Sequence, residues 1–169
     1  LYTKPIVLDI LAFLRVVYDS HESGAFYRLL NLPFFHISEQ DIIALNHIAL
    51  KKTLPLYEAA KSFLAQLKLS SNAREGFLSL LSLLEKGQTL ARDQNVRILV
   101  LFFLEKSGYL KYLQSQEERH VQENFRVLNQ FDAQVKKFVE TQAEPTVKNY
   151  LQELEYILGA GDTGTLSPN

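Results

Sequence analysis

Several groups of residues in this chain have types and spacings that chemistry could use. Gly159-Ala160-Gly161-Asp162-Thr163-Gly164 spells G-x-G-x-x-G, the pattern of a dinucleotide-phosphate cradle. That chemistry needs a strand before the glycines and a helix after them, so that the pyrophosphate meets a helix N-terminus. An amphipathic helical pattern precedes these glycines instead, and the stretch reads as a linker. The same residues run G-x-x-x-x-G-T without the lysine that a P-loop requires. Glu117-x-x-His120, with Glu123 close by, has the spacing of a carboxylate-bridged metal pair. Such a centre takes a second E-x-x-H and two further glutamates from facing helices. None is evident, so a solvated polar face beside a capping acid is the expectation. His21, His36 and His47 have no histidine or cysteine at ligand spacing. With no cysteine in the chain, thiolate metal sites, disulfides and cysteine nucleophiles are excluded. No catalytic residue and no metal ligand is assigned.

What remains are clusters of hydrogen-bond donors and positive charge. The first is Phe34-Phe35-His36-Ile37-Ser38, where the amide and hydroxyl of Ser38 could meet an anion at a helix start and His36 adds charge when protonated. The competing reading is a hydrophobic corner with Phe34 and Phe35 turned inward. Lys51-Lys52 form a basic pair, and Lys106, Ser107 and the amide of Gly108 could present donors at another helix start. A solvated helix end is the simpler reading of each.

The elements that must hold these groups follow from periodicity. Ser23 can cap a short helix with Phe26, Leu29 and Leu30 on one face. Pro33 ends it, because the residue before proline is pushed out of the helical region. Ser38 opens the next helix with Asp41 three residues on, close to a capping box, and Ile42, Ile43 and Leu45 are expected to be its buried side. Lys51-Lys52 end that helix in accord with its dipole. Before this corner, Pro5 suits a first helical turn, and Ile6–Tyr18 is apolar nearly all round, the mark of a central helix. After it, Leu54-Pro55 and Ser70-Ser71-Asn72 start further helices. Val96–Leu104 is apolar enough to be a buried strand, but no partner strand offers itself, so a buried helix is expected. Ser107-Gly108 reads as a stop and a new start. Glu117 to about Thr141 is the longest helix, with Val121, Phe125, Leu128, Phe131, Val135 and Phe138 on one face, and Glu144-Pro145 breaks it. The last helix uses Val147, Tyr150, Leu151, Leu154, Ile157 and Leu158. The fold class is all-α: a single globular domain of about eight or nine helices over residues 1–158, with a helix–hairpin–helix-like corner, and residues 159–169 as a flexible linker.

Several stretches, in order, carry a family resemblance. Asp9-Ile10-Leu11-Ala12-Phe13-Leu14-Arg15 resembles a D-x-L-A-Y-L-R helix. Ala25-Phe26 through Leu32-Pro33, with the corner and Asp41-Ile42, follows. Ser107-Gly108-Tyr109-Leu110-Lys111-Tyr112-Leu113 resembles an SGY-L-x-Y-L helix start. Asn124 with the helix after it, and Tyr150 to Leu158, resemble ENLxEL and FLxxLxLL segments. Together they resemble the accessory subdomain, usually called 2B, of UvrD/Rep-type superfamily 1 DNA helicases, over nearly the whole chain. The resemblance implies a parent that hydrolyses ATP with Mg and moves 3′ to 5′ on single-stranded DNA, with the nucleotide site outside this segment. It implies duplex DNA at a fork or junction, the motor domains of the same chain and regulatory proteins as partners, and a cytoplasmic location. The family's corner resembles R-G-I-G, whose glycines let amides approach phosphates closely. Here Phe35 stands for the arginine, His36 and Ser38 stand for the glycines, and Ile37 alone is kept. Residues His36, Ile37, Ser38, Lys51, Lys52, Lys106, Ser107 and Gly108 are thus the candidate nucleic-acid contacts. The departure favours an alternative, a helical protein-interaction module without DNA binding.

Composition bounds the partners and the core. The formal net charge of −1 gives no bulk case for nucleic acid, but residues 51–111 hold ten Lys and Arg against five Asp and Glu, and residues 112–169 hold five against nine. At 47% hydrophobic content one core is easily filled. The longest apolar run, Ile98 to Leu104, is too short to span a bilayer, no secretory signal pattern is present, and a soluble chain is expected. The absence of methionine suggests a piece of a longer protein.

Overall fold

A helix that is apolar on every side has to be wrapped by others, and α1 (Pro5–Tyr18) is. Its proline sits in the first turn, and Ile6, Val7, Asp9 to Leu14, Val16 and Val17 are all buried. In the computed structural model, which describes residues 1–161, eight more α-helices follow: α2 (Ser23–Leu30), α3 (Glu39–Lys52), α4 (Leu56–Phe63), α5 (Ser71–Leu90), α6 (Val96–Lys106), α7 (Tyr109–Gln114), α8 (Glu118–Thr141) and α9 (Val147–Gly159). Short 3₁₀ turns at Pro33–Phe35 and Leu64–Gln66 complete the described residues, which contain no strand. Helices α2, α5, α6, α8 and α9 all pack on α1, so the first and last helices are neighbours.

Local signals set most of the boundaries. Ser70 Oγ accepts from Ala73 N–H at 3.2 Å, Asn95 Oδ1 from Ile98 N–H at 3.2 Å, and Thr146 Oγ1 from Asn149 N–H at 3.1 Å. Val96–Leu104 is helical, as expected. Leu99, Val100, Phe103 and Leu104 turn inward, while Ile98 and Leu101 stay partly in solvent. Glycine lets α5 approach α1: a Cβ at Gly87 would stand 2.8 Å from Phe13 Cζ. The Phe13 and Phe103 rings stack at 4.7 Å, and Phe103 meets Tyr109 at 5.9 Å, which carries the core to the start of α7.

Two expectations are corrected. Ser23 does not cap α2; Glu22 holds that position without a side-chain bond, and Ser23 Oγ accepts instead from Leu56 N–H at 3.1 Å, serving the first turn of α4. Ile43 is 58% exposed, because it lies one residue round from Ile42 on a helix that buries only the stripe of Ile42, Leu45 and Ala49. Helix α9 closes at Gly159, the first residue of the expected linker. Residues 162–169 of that linker, and with them the last glycine of the G-x-G-x-x-G pattern, lie outside the described residues. Among the described residues no helix is long and apolar enough to cross a membrane.

Candidate nucleic-acid interface

The corner is built by two opposed demands on the backbone. Leu32 is extended, Pro33–Phe35 forms the 3₁₀ turn, and His36 then takes a left-handed conformation at φ 55° and ψ 35°. That is the position where the family pattern has glycine, and histidine is among the side chains that tolerate it better than most. Phe35 is 3% exposed, and Phe34 packs on Tyr109 at 5.1 Å and on Tyr112 at 5.6 Å. Both rings therefore belong to the packing of the corner, while His36 and Ser38 stay exposed and Ile37 half-buried.

Ser38 caps α3 through a full capping box. Asp41 N–H donates to Ser38 Oγ at 3.2 Å, while Ser38 N–H and Oγ donate to Asp41 Oδ2 at 2.9 and 2.7 Å. The two donors expected to be available for an anion are thus taken up by a carboxylate of the same turn. Aspartate has the reach for this because the box needs only one oxygen over the N-cap amide. Ser38→Ala removes the cap and is expected to lower stability by about 1 kcal/mol, read as a shift of the denaturation midpoint at unchanged m-value.

The structure brings part of the candidate set together. A cleft of about 210 Å³ between the corner, α5 and the end of α6 is lined by His36, Lys106 and Ser107, with Asn72, Glu75 and Ser79 on its α5 wall. Ser107 Oγ accepts from Tyr109 N–H at 3.1 Å, and Gly108 takes φ 92°, a conformation only glycine adopts freely, to turn the chain into α7. Lys51 and Lys52 are not part of this cleft. They end the 14-residue α3, about 20 Å along the axis from Ser38. Lys52 Nζ lies 5.3 Å from the Phe63 ring centroid, where cation and ring attract. The Glu117–His120 stretch starts α8 with exposed side chains, and Glu123 pairs with Arg126 at 2.9 Å, which holds its carboxyl below the usual range.

Behind the corner lies a buried polar centre that periodicity did not single out. Asp9 of α1, 6% exposed, accepts from Arg28 Nε of α2 at 2.7 Å and from the Tyr109 hydroxyl of α7. Burial first, and then the bond to Asp9, push the Tyr109 hydroxyl well above its ordinary pKa. The available signal was a lone aspartate in an otherwise apolar helix. Asp9 and Tyr109 sit in two of the stretches that carry the resemblance, and Arg28 in a third, so these motifs converge on one hydrogen-bonded triad.

No protein-family model matches the chain. It is 22% identical over 169 positions to the ATP-dependent DNA helicase PcrA of Staphylococcus epidermidis strain RP62A, covering 97% of this chain and 23% of that helicase. The same figures hold for PcrA of strain ATCC 12228. Over 85 positions it is 28% identical to the ATP-dependent DNA helicase Rep of Buchnera aphidicola subsp. Acyrthosiphon pisum, covering 50% of this chain and 13% of Rep. The chain therefore spans less than a quarter of the PcrA relatives it matches. It is a distant homologue of one segment of the PcrA and Rep DNA helicases, which are of the UvrD/Rep superfamily 1 type.

Proposed function

We propose that this chain is the accessory 2B subdomain of a UvrD/Rep-like ATP-dependent 3′→5′ DNA helicase, a body that contacts the duplex and gates the motor rather than catalysing. The observation that carries this is the match to PcrA along 97% of the chain, against only 23% of PcrA. The neighbouring first and last helices suit a segment inserted within a larger domain. ATP and Mg belong to the parent's motor domains, which are the first partners of this body. Duplex DNA at a fork is its second partner, and regulatory proteins a third. On this reading His36, Lys106 and Ser107, with Ile37 and Gly108 beside them, face duplex phosphates, Ser38, whose donors hold Asp41, caps the helix behind them, and Lys51 and Lys52 meet the backbone further along. Such contacts position DNA without reading its sequence.

A second reading has its own observation. Both donors of Ser38 hold Asp41, and a buried phenylalanine stands where the family pattern has arginine. A helical protein-interaction module without duplex contact would have a corner like this.

Binding of the 169-residue chain to a short DNA hairpin, followed against salt, separates the two. Duplex contact predicts a linear fall of log K with log salt, at about −0.9 per phosphate neutralised, and a slope shallower by about that amount in Lys106→Ala. Absence of binding at low salt overturns the duplex role in favour of the interaction module.

A further inference from the structure

The corner cleft does not end at α5. It shares Ser79, Leu83 and Lys106 with a larger hollow of about 530 Å³, whose other lining residues are Leu78, Ser82, Lys86 and Phe102. A third hollow continues from Ser82 and Lys86 towards Asp93 and Gln94. The three make one trough along the outer side of α5, with α6 as its second wall at Phe102 and Lys106.

The middle of this trough differs from its ends. Glu75 lies at the corner end, and Glu85 and Asp93 at the other. Between them the lining holds two lysines, two serine hydroxyls, two leucines and one phenylalanine, and no carboxylate. Ser79, Ser82 and Lys86 follow one another at three and four residues, so they share a face of α5 over about 10 Å. Neither lysine has an ion-pair partner among the described residues, whereas Arg28, Arg97 and Arg126 each have one. Positive charge and hydroxyls beside a half-buried aromatic ring are complementary to a phosphodiester and its unstacked base. They do not suit a duplex, whose bases are closed to an aromatic side chain.

We propose that the α5–α6 trough is a binding site for a short run of single-stranded DNA, with Lys86 and Lys106 on phosphates, Ser79 and Ser82 donating to phosphate oxygens, and Phe102 as a stacking surface. Backbone neutralisation and base stacking are the two general components of single-strand binding, and both are within reach here. The acidic residues at each end confine the site to a few nucleotides. The site adjoins the corner cleft, with which it shares Ser79, Leu83 and Lys106: a strand parted from a duplex at the corner would enter the trough, but the trough needs no duplex to bind.

The test uses the 169-residue chain and a fluorescent oligothymidylate of about ten nucleotides, within the size range of single-strand sites. Anisotropy at low salt should show binding, with a log–log salt slope near −0.7 per phosphate contact. Lys86→Ala should weaken binding about fivefold or more and make the slope shallower by about 0.7. Phe102→Leu should cost about five- to tenfold at an unchanged slope, with a thermal melt to establish that the variant is folded. Lack of oligonucleotide binding, or a Lys86→Ala slope equal to wild type, overturns the proposal. So does an equal loss of hairpin-duplex binding in Lys86→Ala, which would make the trough a general polyanion surface. Displacement of the oligonucleotide by an equal concentration of oligoglutamate overturns it in favour of an acidic protein partner. If the hairpin fails to bind while the oligonucleotide binds through Lys86, the duplex role falls and the trough stands.

Discussion

Gly76→Ala is expected to lower stability by about 3 kcal/mol, although alanine is worth about 1 kcal/mol more than glycine in a helix interior. Gly76 is buried in α5 where the helix lies against the carbonyl of Phe35. A Cβ there would stand 1.8 Å from the Phe35 oxygen and 2.8 Å from its carbonyl carbon. Both atoms are backbone, so no rotamer change relieves the contact, and the corner or the helix has to move. Gly87→Ala, also in α5, meets the tips of Phe13 and Val17 side chains and should cost less. Urea denaturation measures both variants. A Gly76→Ala midpoint equal to or above wild type would show that the corner does not sit on α5 as described. Since the corner forms one wall of the cleft holding His36 and Lys106, Gly76→Ala should also weaken hairpin binding.

Asp9→Ala has the next largest expected effect, a loss of about 3 kcal/mol. The substitution leaves the buried Tyr109 hydroxyl without its acceptor and Arg28 with only the Pro5 carbonyl, at 3.4 Å. The figure lies at the low end for breaking a buried pair, because the Arg28 side chain is 38% exposed and water takes over part of its solvation. Tyr109→Phe deletes one bond and should cost about 1 kcal/mol. The same centre makes stability depend on alkaline pH. Tyr109 keeps its proton in the folded chain beyond the point, near pH 10, at which an unfolded tyrosine ionises. The unfolded state then holds fewer protons, so stability falls as pH rises through and above about 10. Tyr150, raised chiefly by burial, adds to the fall with the same sign. Denaturation midpoints between pH 8 and 11 check this, and Tyr109→Phe should flatten the decline.

What was legible in the sequence was local. Pro5 in a first turn, the Ser38–Asp41 box, the cap at Ser70 and the central place of α1 each depend on residues within a turn or on the apolar share of one helix. Ser23 misled because a serine before a helical pattern does not say whose amide it will accept; its donor comes from 33 residues away. Ile43 misled because apolarity alone does not say which stripe of a helix is covered. The partners of Asp9 lie 19 and 100 residues away, and no spacing rule reaches that far. The candidate contacts divide the same way. His36 and Lys106 share a cleft only because Gly76 lets α5 close against the corner, and Lys51 and Lys52, equally basic in sequence, are carried a helix length away.

The proposed function makes this helical body one that touches and gates a motor lying in other parts of the same protein. Its most direct test is the longer protein carrying this segment, with residues 1–159 replaced by a short glycine–serine linker. The expected result is that ATP hydrolysis stimulated by single-stranded DNA survives while the rate of duplex unwinding changes severalfold. Loss of ATP hydrolysis, or unwinding at the unaltered rate, would contradict the account.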